Sequence, residues 1–229
     1  MRIVAGRLRR RSLLPPAGEN TRPITDRAKE QLFENLGGLL DGERVLDAFA
    51  GTGTIGLEAL SRGAVGCVFM EHDKRTHALL KKNVGTLGVD GQSLCWRVDI
   101  LRTSFRPRDA GGLTPYDLLF FDPPYKMADA IAPGRPLYKS LARAGRAGTC
   151  AADAELVLRV PSLLDITPPP VWAVRRELRV GGMKFLLCDR DPAGDERAGG
   201  ADGDGTGTGT GNETGTEPGG GPGEGGQPG

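Results

Sequence analysis

Residues 193–229 contain no aromatic residue and no Leu, Ile, Val or Met. Gly, Thr, Asp, Glu and Pro fill the segment instead, as in Gly203-Asp204-Gly205-Thr206-Gly207-Thr208-Gly209. Such a stretch has too little apolar surface to offset its conformational entropy, which excludes a packed core there. It reads as a disordered, acidic tail behind one domain of ordinary size. Cysteine is scarce too: Cys67, Cys95, Cys150 and Cys188 are scattered, with no Cys-x-x-Cys pair. That spacing argues against zinc, or any metal, and for buried reduced thiols. No run of about 18 apolar residues occurs, which excludes a helical membrane span. The Arg-rich start lacks the apolar core of a secretory signal. A cytoplasmic protein is the expectation, monomeric and without a membrane partner.

The charge balance is hidden by the tail. The whole chain is nearly neutral at +1, yet 29 of its 30 basic residues and only 22 of its 29 acidic ones precede residue 193. The part expected to fold therefore carries a net +7, which favours an anionic partner. Arg2, Arg7, Arg9, Arg10 and Arg11 supply much of the excess. A basic stretch alone is as readily a solvated face as a binding arm.

Residues 2–14 mix apolar and basic residues before Pro15-Pro16, and a small hairpin carrying arginines fits them. Asp26 is a reasonable N-cap for a helix reaching about Leu39, whose apolar residues recur every three or four positions. Apolar runs then alternate with helix-like stretches. The runs are Val45–Phe49, Cys67–Met70, Leu94–Val98, Leu118–Phe121 and Leu156–Val160. The stretches between them are Thr54–Arg62, Lys74–Leu87 and residues 137–147. Two further strands, Val171–Val180 and Lys184–Cys188, flank Gly181-Gly182. Continuous apolar runs separated by helices predict an α/β fold with a mostly parallel seven-stranded sheet. Ligands of such sheets gather at the carboxyl ends of the strands.

Those ends carry the chemistry. The first run leads into Asp47-Ala48-Phe49-Ala50-Gly51-Thr52-Gly53-Thr54-Ile55-Gly56. Gly-x-Gly-x-x-Gly is weak alone; it serves dinucleotides or merely a sharp turn. An Asp before the glycines would repel a pyrophosphate and suits a cationic ligand. Glu71 ends the second run, where a carboxylate can accept from ribose hydroxyls. Asp99 ends the third, where it can accept from the exocyclic N–H of an adenine. Either acid is, on the plainer account, a solvated turn residue, and Asp73 simply caps the next helix. The fourth run ends in Asp122-Pro123-Pro124-Tyr125, the most specific signal in the chain. Two prolines stiffen the backbone and remove two N–H donors. The Asp122 carboxylate and the Pro123 carbonyl are then both available to one amino group, and the Tyr125 ring can stack on a planar base.

Asp-Pro-Pro-Tyr after a Phe-x-Gly-x-Gly turn resembles the amino-methyltransferases of the class I, Rossmann-like superfamily. Arg2-Ile3-Val4-Ala5-Gly6, Arg9-Arg10-Arg11, Leu13, residues 21–27 and residues 30–36 are similar to the N-terminal signature of the bacterial 16S ribosomal RNA guanine-N2 methyltransferases. Residues 46–53 and 56–64 continue the likeness, which spans residues 2–189. Ala5 and Arg10 stand where that family usually has Gly, and Val180 where it usually has an aromatic. The resemblance implies S-adenosylmethionine as cofactor, with Asp47 near its amino-acid end and Gly51 and Gly53 under it. Glu71 would meet the ribose and Asp99 the adenine, with Phe49 and Ile100 alongside. It implies Asp122, Pro123, Pro124 and Tyr125 as the catalytic segment, acting on guanine N2 of 16S ribosomal RNA, free or in a small-subunit assembly intermediate. Arg2, Arg7, Arg9, Arg10, Arg11 and Arg22 would contact that RNA. The implied organisation is a basic RNA-binding hairpin (1–25), a methyltransferase domain (26–192) and the tail (193–229).

Three other readings share these motifs. A DNA or RNA adenine-N6 methyltransferase would need extra sequence to read bases, and three strands with their connections fill the stretch after Tyr125. A non-catalytic RNA-binding protein would not need the acidic strand ends. A protein glutamine methyltransferase usually has Asn in place of Asp122.

Overall fold

The computed structural model describes residues 1–15, 24–128 and 131–194. The proposed tail from residue 195 on, and Arg22, lie outside the described residues. Seven strands form one sheet: β1 (Arg44–Asp47), β2 (Gly66–Glu71), β3 (Ser93–Arg97), β4 (Tyr116–Phe121), β5 (Cys150–Pro161), β6 (Trp172–Val180) and β7 (Met183–Arg190). Their spatial order is β3-β2-β1-β4-β5-β7-β6. The first five run parallel, and β7 is antiparallel to both β5 and β6. The chain thus has the expected Rossmann-like arrangement, with the strand order reversing between β1 and β4. At such a switch point the connections leave the sheet on opposite faces, and ligands of this kind of fold bind between them.

Alternation along each buried strand divides the core in two. Val45, Phe69, Phe120, Val157 and Phe185 face one layer, built from α1 (Asp26–Asn35), α2 (Thr54–Ser61) and α3 (Lys74–Leu87). Leu46, Met70, Phe121, Leu158 and Leu186 face the other, where α5 (Pro136–Ala144) contributes Leu137, Leu141 and Ala144. Both faces are covered, so these strands read as unbroken apolar runs.

Several boundaries differ from the sequence reading. Thr25, not Asp26, caps α1; its hydroxyl accepts from Ala28 N–H at 3.2 Å, while Asp26 pairs with Arg2 at 2.7 Å. The helix ends at Asn35 rather than Leu39, because Gly37 and Gly38 follow in left-handed conformations. Strand β5 begins at Cys150, six residues before its apolar run; its early residues Ala152 and Asp153 are exposed and carry no apolar signal. Two short elements were not foreseen: a 3-10 turn at Asp90–Gln92, and Tyr125–Ala128, a single helical turn, α4, directly after the prolines.

The N-terminal segment folds back as a hairpin held by one antiparallel bridge, Arg2 to Ser12, with Ile3 N–H donating to Arg11 C=O at 2.9 Å. Its inner amides are bonded to α2 instead of to a second strand. Val4 and Ala5 N–H donate to the Glu58 carboxylate at 2.8 and 2.9 Å, and Leu8 N–H donates to the Ser61 hydroxyl at 3.0 Å. Gly6 makes the approach possible, since a Cβ there would stand 1.8 Å from Ser61 O. Its φ of +77° also disfavours any side chain. Ile3 and Leu13 are buried in the main core beneath. Cys67, Cys150 and Cys188 are buried, as expected, whereas Cys95 is only partly buried. Among the described residues no helix is long and apolar enough to cross a membrane.

Candidate active site

Five parallel strands bring their carboxyl ends to one edge of the sheet. Register fixes this: Asp47 lies opposite Phe69 of β2 and Phe120 of β4. Asp47, Glu71, Asp99 and Asp122 therefore share that edge, with Tyr125 on the turn above β4.

Asp47 is almost wholly buried at 1% exposure and turns inward. Its Oδ2 accepts from Gly56 N–H at 2.9 Å, in the first turn of α2. Its Oδ1 is buried with no hydrogen-bond partner among the described residues. Burial pushes this carboxyl up to about 7; the Gly56 N–H opposes the rise, and the negative charges of Asp122 and Glu71 add to it. A buried carboxylate in the field of two others is a place where a positive ligand would be stabilised.

The glycine turn lies directly after β1. Gly53, with φ of +88°, starts α2, and a Cβ there would meet Leu80 Cδ1 at 2.7 Å, so the position serves packing as well as the turn. Above Gly51 a Cβ would meet nothing within 4 Å, so the turn borders open space. Glu71 ties this turn to the next one. Its Oε2 accepts from Gly51 N–H at 3.0 Å and its Oε1 from Asp73 N–H at 2.7 Å. Burial raises the Glu71 carboxyl, and those two amides pull it back. Each oxygen keeps a second lone pair for a hydroxyl donor. Asp73 is the cap of α3, accepting from Thr76 N–H at 2.8 Å, as its plainer reading had it.

Asp99 shapes the turn after β3: its Oδ1 accepts from Leu101 N–H at 2.9 Å. Ile100 is buried, and its carbonyl accepts from the Ser140 hydroxyl at 2.6 Å. Phe49 is partly buried and stands edge-on to Phe121, with ring centroids 5.1 Å apart.

After β4, Pro123 is buried and Pro124 exposed, and the Pro124 carbonyl accepts from Met127 N–H at 2.7 Å to close α4. The Asp122 side chain is 13% exposed, and its Oδ1 accepts from Arg159 Nε at 2.5 Å. Burial raises the Asp122 carboxyl and the Arg159 charge counters it. The Arg159 guanidinium carbon lies 5.8 Å from the Tyr125 ring centroid. Arg159 was missed in the sequence. The signal was present, as one basic residue inside Leu156-Val157-Leu158-Arg159-Val160.

The arginines of the N-terminal hairpin are exposed, but not equally free. Arg2 pairs with Asp26, Arg7 donates to Gln92 Oε1, and Arg11 donates to the Thr86 carbonyl. Arg9 and Arg10 are exposed, and their guanidinium groups have no partner among the described residues, while their backbone amides bond within the hairpin. Arg10 takes φ of +71°, the left-handed geometry that suits the Gly of the resembled family. Among the described residues no group of three or more His, Cys, Asp or Glu is placed to hold a metal.

Residues 1–151 match the family described as "Conserved hypothetical protein 95". The chain is 31% identical over 200 residues to ribosomal RNA small subunit methyltransferase D of Escherichia coli (strain K12), covering 86% of this chain and 94% of that one. It superposes on the candidate methyltransferase yhhF of Escherichia coli with a TM-score of 0.66 and 30% identity, over 83% of this chain and 98% of that one. An RNA methyltransferase of Salinibacter ruber, solved with S-adenosyl-L-homocysteine, superposes with a TM-score of 0.52 at 14% identity, over 73% of this chain and 93% of that one. That last likeness concerns the fold alone.

Proposed function

The chain belongs to the family described as "Conserved hypothetical protein 95", and we propose that it is an S-adenosylmethionine-dependent methyltransferase acting on guanine N2 of 16S ribosomal RNA. The observation that carries this is the largely enclosed Asp122 directly after β4, held by Arg159 near the Tyr125 ring and on the same strand edge as the glycine turn.

S-adenosylmethionine, when bound, supplies a methyl group made electrophilic by its sulfonium. The residues present fit that cation. The open space above Gly51 and the joint field of Asp47, Glu71 and Asp122 suit a positively charged ligand of this size. Gly51 and Gly53 would lie under it, Glu71 would hold the ribose hydroxyls and Asp99 the adenine amino group. Phe49 and Ile100 would close the apolar side. Asp47 would act through the turn it fixes and through its charge.

The base is the work of the Asp122 segment. Guanine N2 is a poor nucleophile because its lone pair is spread into the ring. Asp122 and the Pro123 carbonyl would accept its two hydrogens and favour a more pyramidal nitrogen, while Tyr125 stacks on the ring. Their contribution is positioning and fixed electrostatics. Asp122 is a stronger proton acceptor than an exposed aspartate, since burial raises its carboxyl.

Arg9 and Arg10, with Arg2, Arg7, Arg11 and Arg22, would meet RNA phosphates and hold the target against this edge. The substrate is then 16S RNA itself or a small-subunit assembly intermediate, and the reaction is cytoplasmic. The test is transfer of labelled methyl to total RNA followed by nucleoside analysis. N2-methylguanosine in 16S RNA is expected. N6-methyladenosine would overturn the assignment in favour of an adenine enzyme.

A further inference from the structure

Arg159 sits where a sheet interior seldom carries a charge. It is 8% exposed, in the part of β5 whose neighbours Val157, Leu158 and Val160 are buried and apolar. Its Nε donates to Asp122 Oδ1, and its Nη1 is buried with no hydrogen-bond partner among the described residues. Joining β4 to β5 does not require it. Those strands already pair from Leu118 opposite Glu155 to Phe121 opposite Leu158. An apolar pair at the next position would hold them without desolvating two charges. A buried ion pair with a donor left over is instead what a binding site looks like when a polar group is held in one state.

We propose that Arg159 is a positioning residue for methyl transfer: it occupies Oδ1 of Asp122 and keeps the carboxylate ionised, so that Oδ2 is the acceptor offered to the substrate amino group. The proposal rests on the role given to Asp122 above. Oδ2 has no hydrogen-bond partner among the described residues. The charged groups facing Asp122 are Arg159 from β5 and Asp47 from β1, the latter itself within the field of Glu71 from β2. The Tyr125 ring on α4 lies against the same guanidinium. Arg159 is the only positive charge in this set. Without it, burial favours a protonated Asp122, whose oxygens are weaker acceptors for the substrate N–H than those of a carboxylate. Arg159 itself makes and breaks no bond and moves no proton.

The test uses the full chain with Arg159→Met, Arg159→Gln and Arg159→Lys. The Asp122 carboxyl is titrated by infrared difference against Asp122→Asn, with neither RNA nor cofactor present. Methyl transfer to 16S RNA is then followed across pH. Arg159→Met should titrate Asp122 at higher pH than the wild type. Transfer should fall about tenfold for each pH unit below that new value, and recover in alkali. Arg159→Lys should restore most of the neutral-pH rate, and S-adenosylmethionine affinity should stay within about threefold in all variants. If Arg159→Met is folded and both titration and pH profile match the wild type, the proposal is overturned. If Arg159→Met does not fold, the same comparison between Arg159→Gln and Arg159→Lys decides it. The titration involves no substrate, so it reads Arg159 even if the base assignment fails; that failure appears separately, as normal turnover in Asp122→Asn.

Discussion

Glu58 gives the sharpest stability prediction. It lies in mid-α2 with no exposed surface and receives four donors. Two are the Val4 and Ala5 amides of the N-terminal hairpin, at 2.8 and 2.9 Å. Two are cations, Lys29 Nζ of α1 at 3.2 Å and Arg62 Nε at 3.0 Å. Glu58→Ala strands both cations and both amides in the interior. Breaking a buried pair costs about 3–5 kcal/mol, and each stranded amide adds roughly 1 kcal/mol or more. The sum, about 5–7 kcal/mol, rivals the whole stability of a typical domain. The cheapest response is for the hairpin to detach and let water reach Lys29 and Arg62, at the expense of burying Ile3 and Leu13. Urea unfolding should therefore lose several kcal/mol, and hydrogen exchange at Val4 and Ala5 should rise to unprotected rates. A compensated variant, Glu58→Leu with Lys29→Met and Arg62→Met, should regain most of the urea stability, because an apolar triad needs no counter-charge. It should not restore protection at Val4 and Ala5, which still lack an acceptor. If Glu58→Ala stays within about 1 kcal/mol of the wild type with those amides protected, Glu58 does not couple the hairpin to the core.

The remaining predictions concern the site. Asp122→Ala should lower methyl transfer by about a hundredfold or more while calorimetry shows cofactor binding largely intact; near-normal turnover would refute its role. Asp47 holds its proton to about 7 in the folded chain, against 3.8 ordinarily. Between those values the folded state binds more protons than the unfolded one, so this group's contribution makes stability fall as pH rises through that window. A cationic ligand favours the carboxylate, so its affinity should rise with pH toward about 7 and binding should release protons. Calorimetry in two buffers of different ionisation heat would show this, and buffer-independent heats would refute it. Replacing Arg9 and Arg10 by Ala should weaken RNA binding and shallow its salt slope by about 0.7 per lost phosphate contact on single-stranded RNA; an unchanged slope would remove the hairpin from the RNA interface. Gly6→Ala forces a Cβ against Ser61 O and should expose the Leu8 amide to exchange; continued protection would refute the close fit.

What the sequence made legible is what burial writes plainly. Parallel strands covered on both faces must be apolar at every position, so β1, β2 and β4 stood out as unbroken runs and their acidic ends were conspicuous. Two prolines after Asp122 announced a fixed turn for reasons internal to the backbone. The hidden features all depend on partners far away in the chain. Glu58 in a helix reads as a solvated acid until Val4, Lys29 and Arg62 are brought to it. Arg159 reads as an interruption until Asp122, 37 residues earlier, is opposite it. The inward turn of Asp47 is invisible too, because its partner is a backbone amide that any residue could supply.

One eight-residue helix, α2, connects the two halves of the proposed activity. Its first turn receives Asp47 through Gly56, and so is fixed to the cofactor end of the sheet. Its later turns receive the hairpin through Glu58 and Ser61. Asn83 of α3 closes the same circuit, accepting from Leu14 N–H at 2.8 Å and donating to Thr52 C=O, within the glycine turn, at 2.9 Å. A displacement of the hairpin therefore cannot be absorbed by a hinge at its base; it must move α2 or break bonds that set the turn. Close-packed interiors respond to such demands by discrete rearrangement rather than by bending. In this arrangement the arginines and the glycine turn are held in one frame, so RNA engaged by Arg9 and Arg10 is placed relative to the strand edge by the helix itself. Loosening the hairpin is then expected to damage positioning of the base as well as affinity for the RNA, and the two effects share one structural cause.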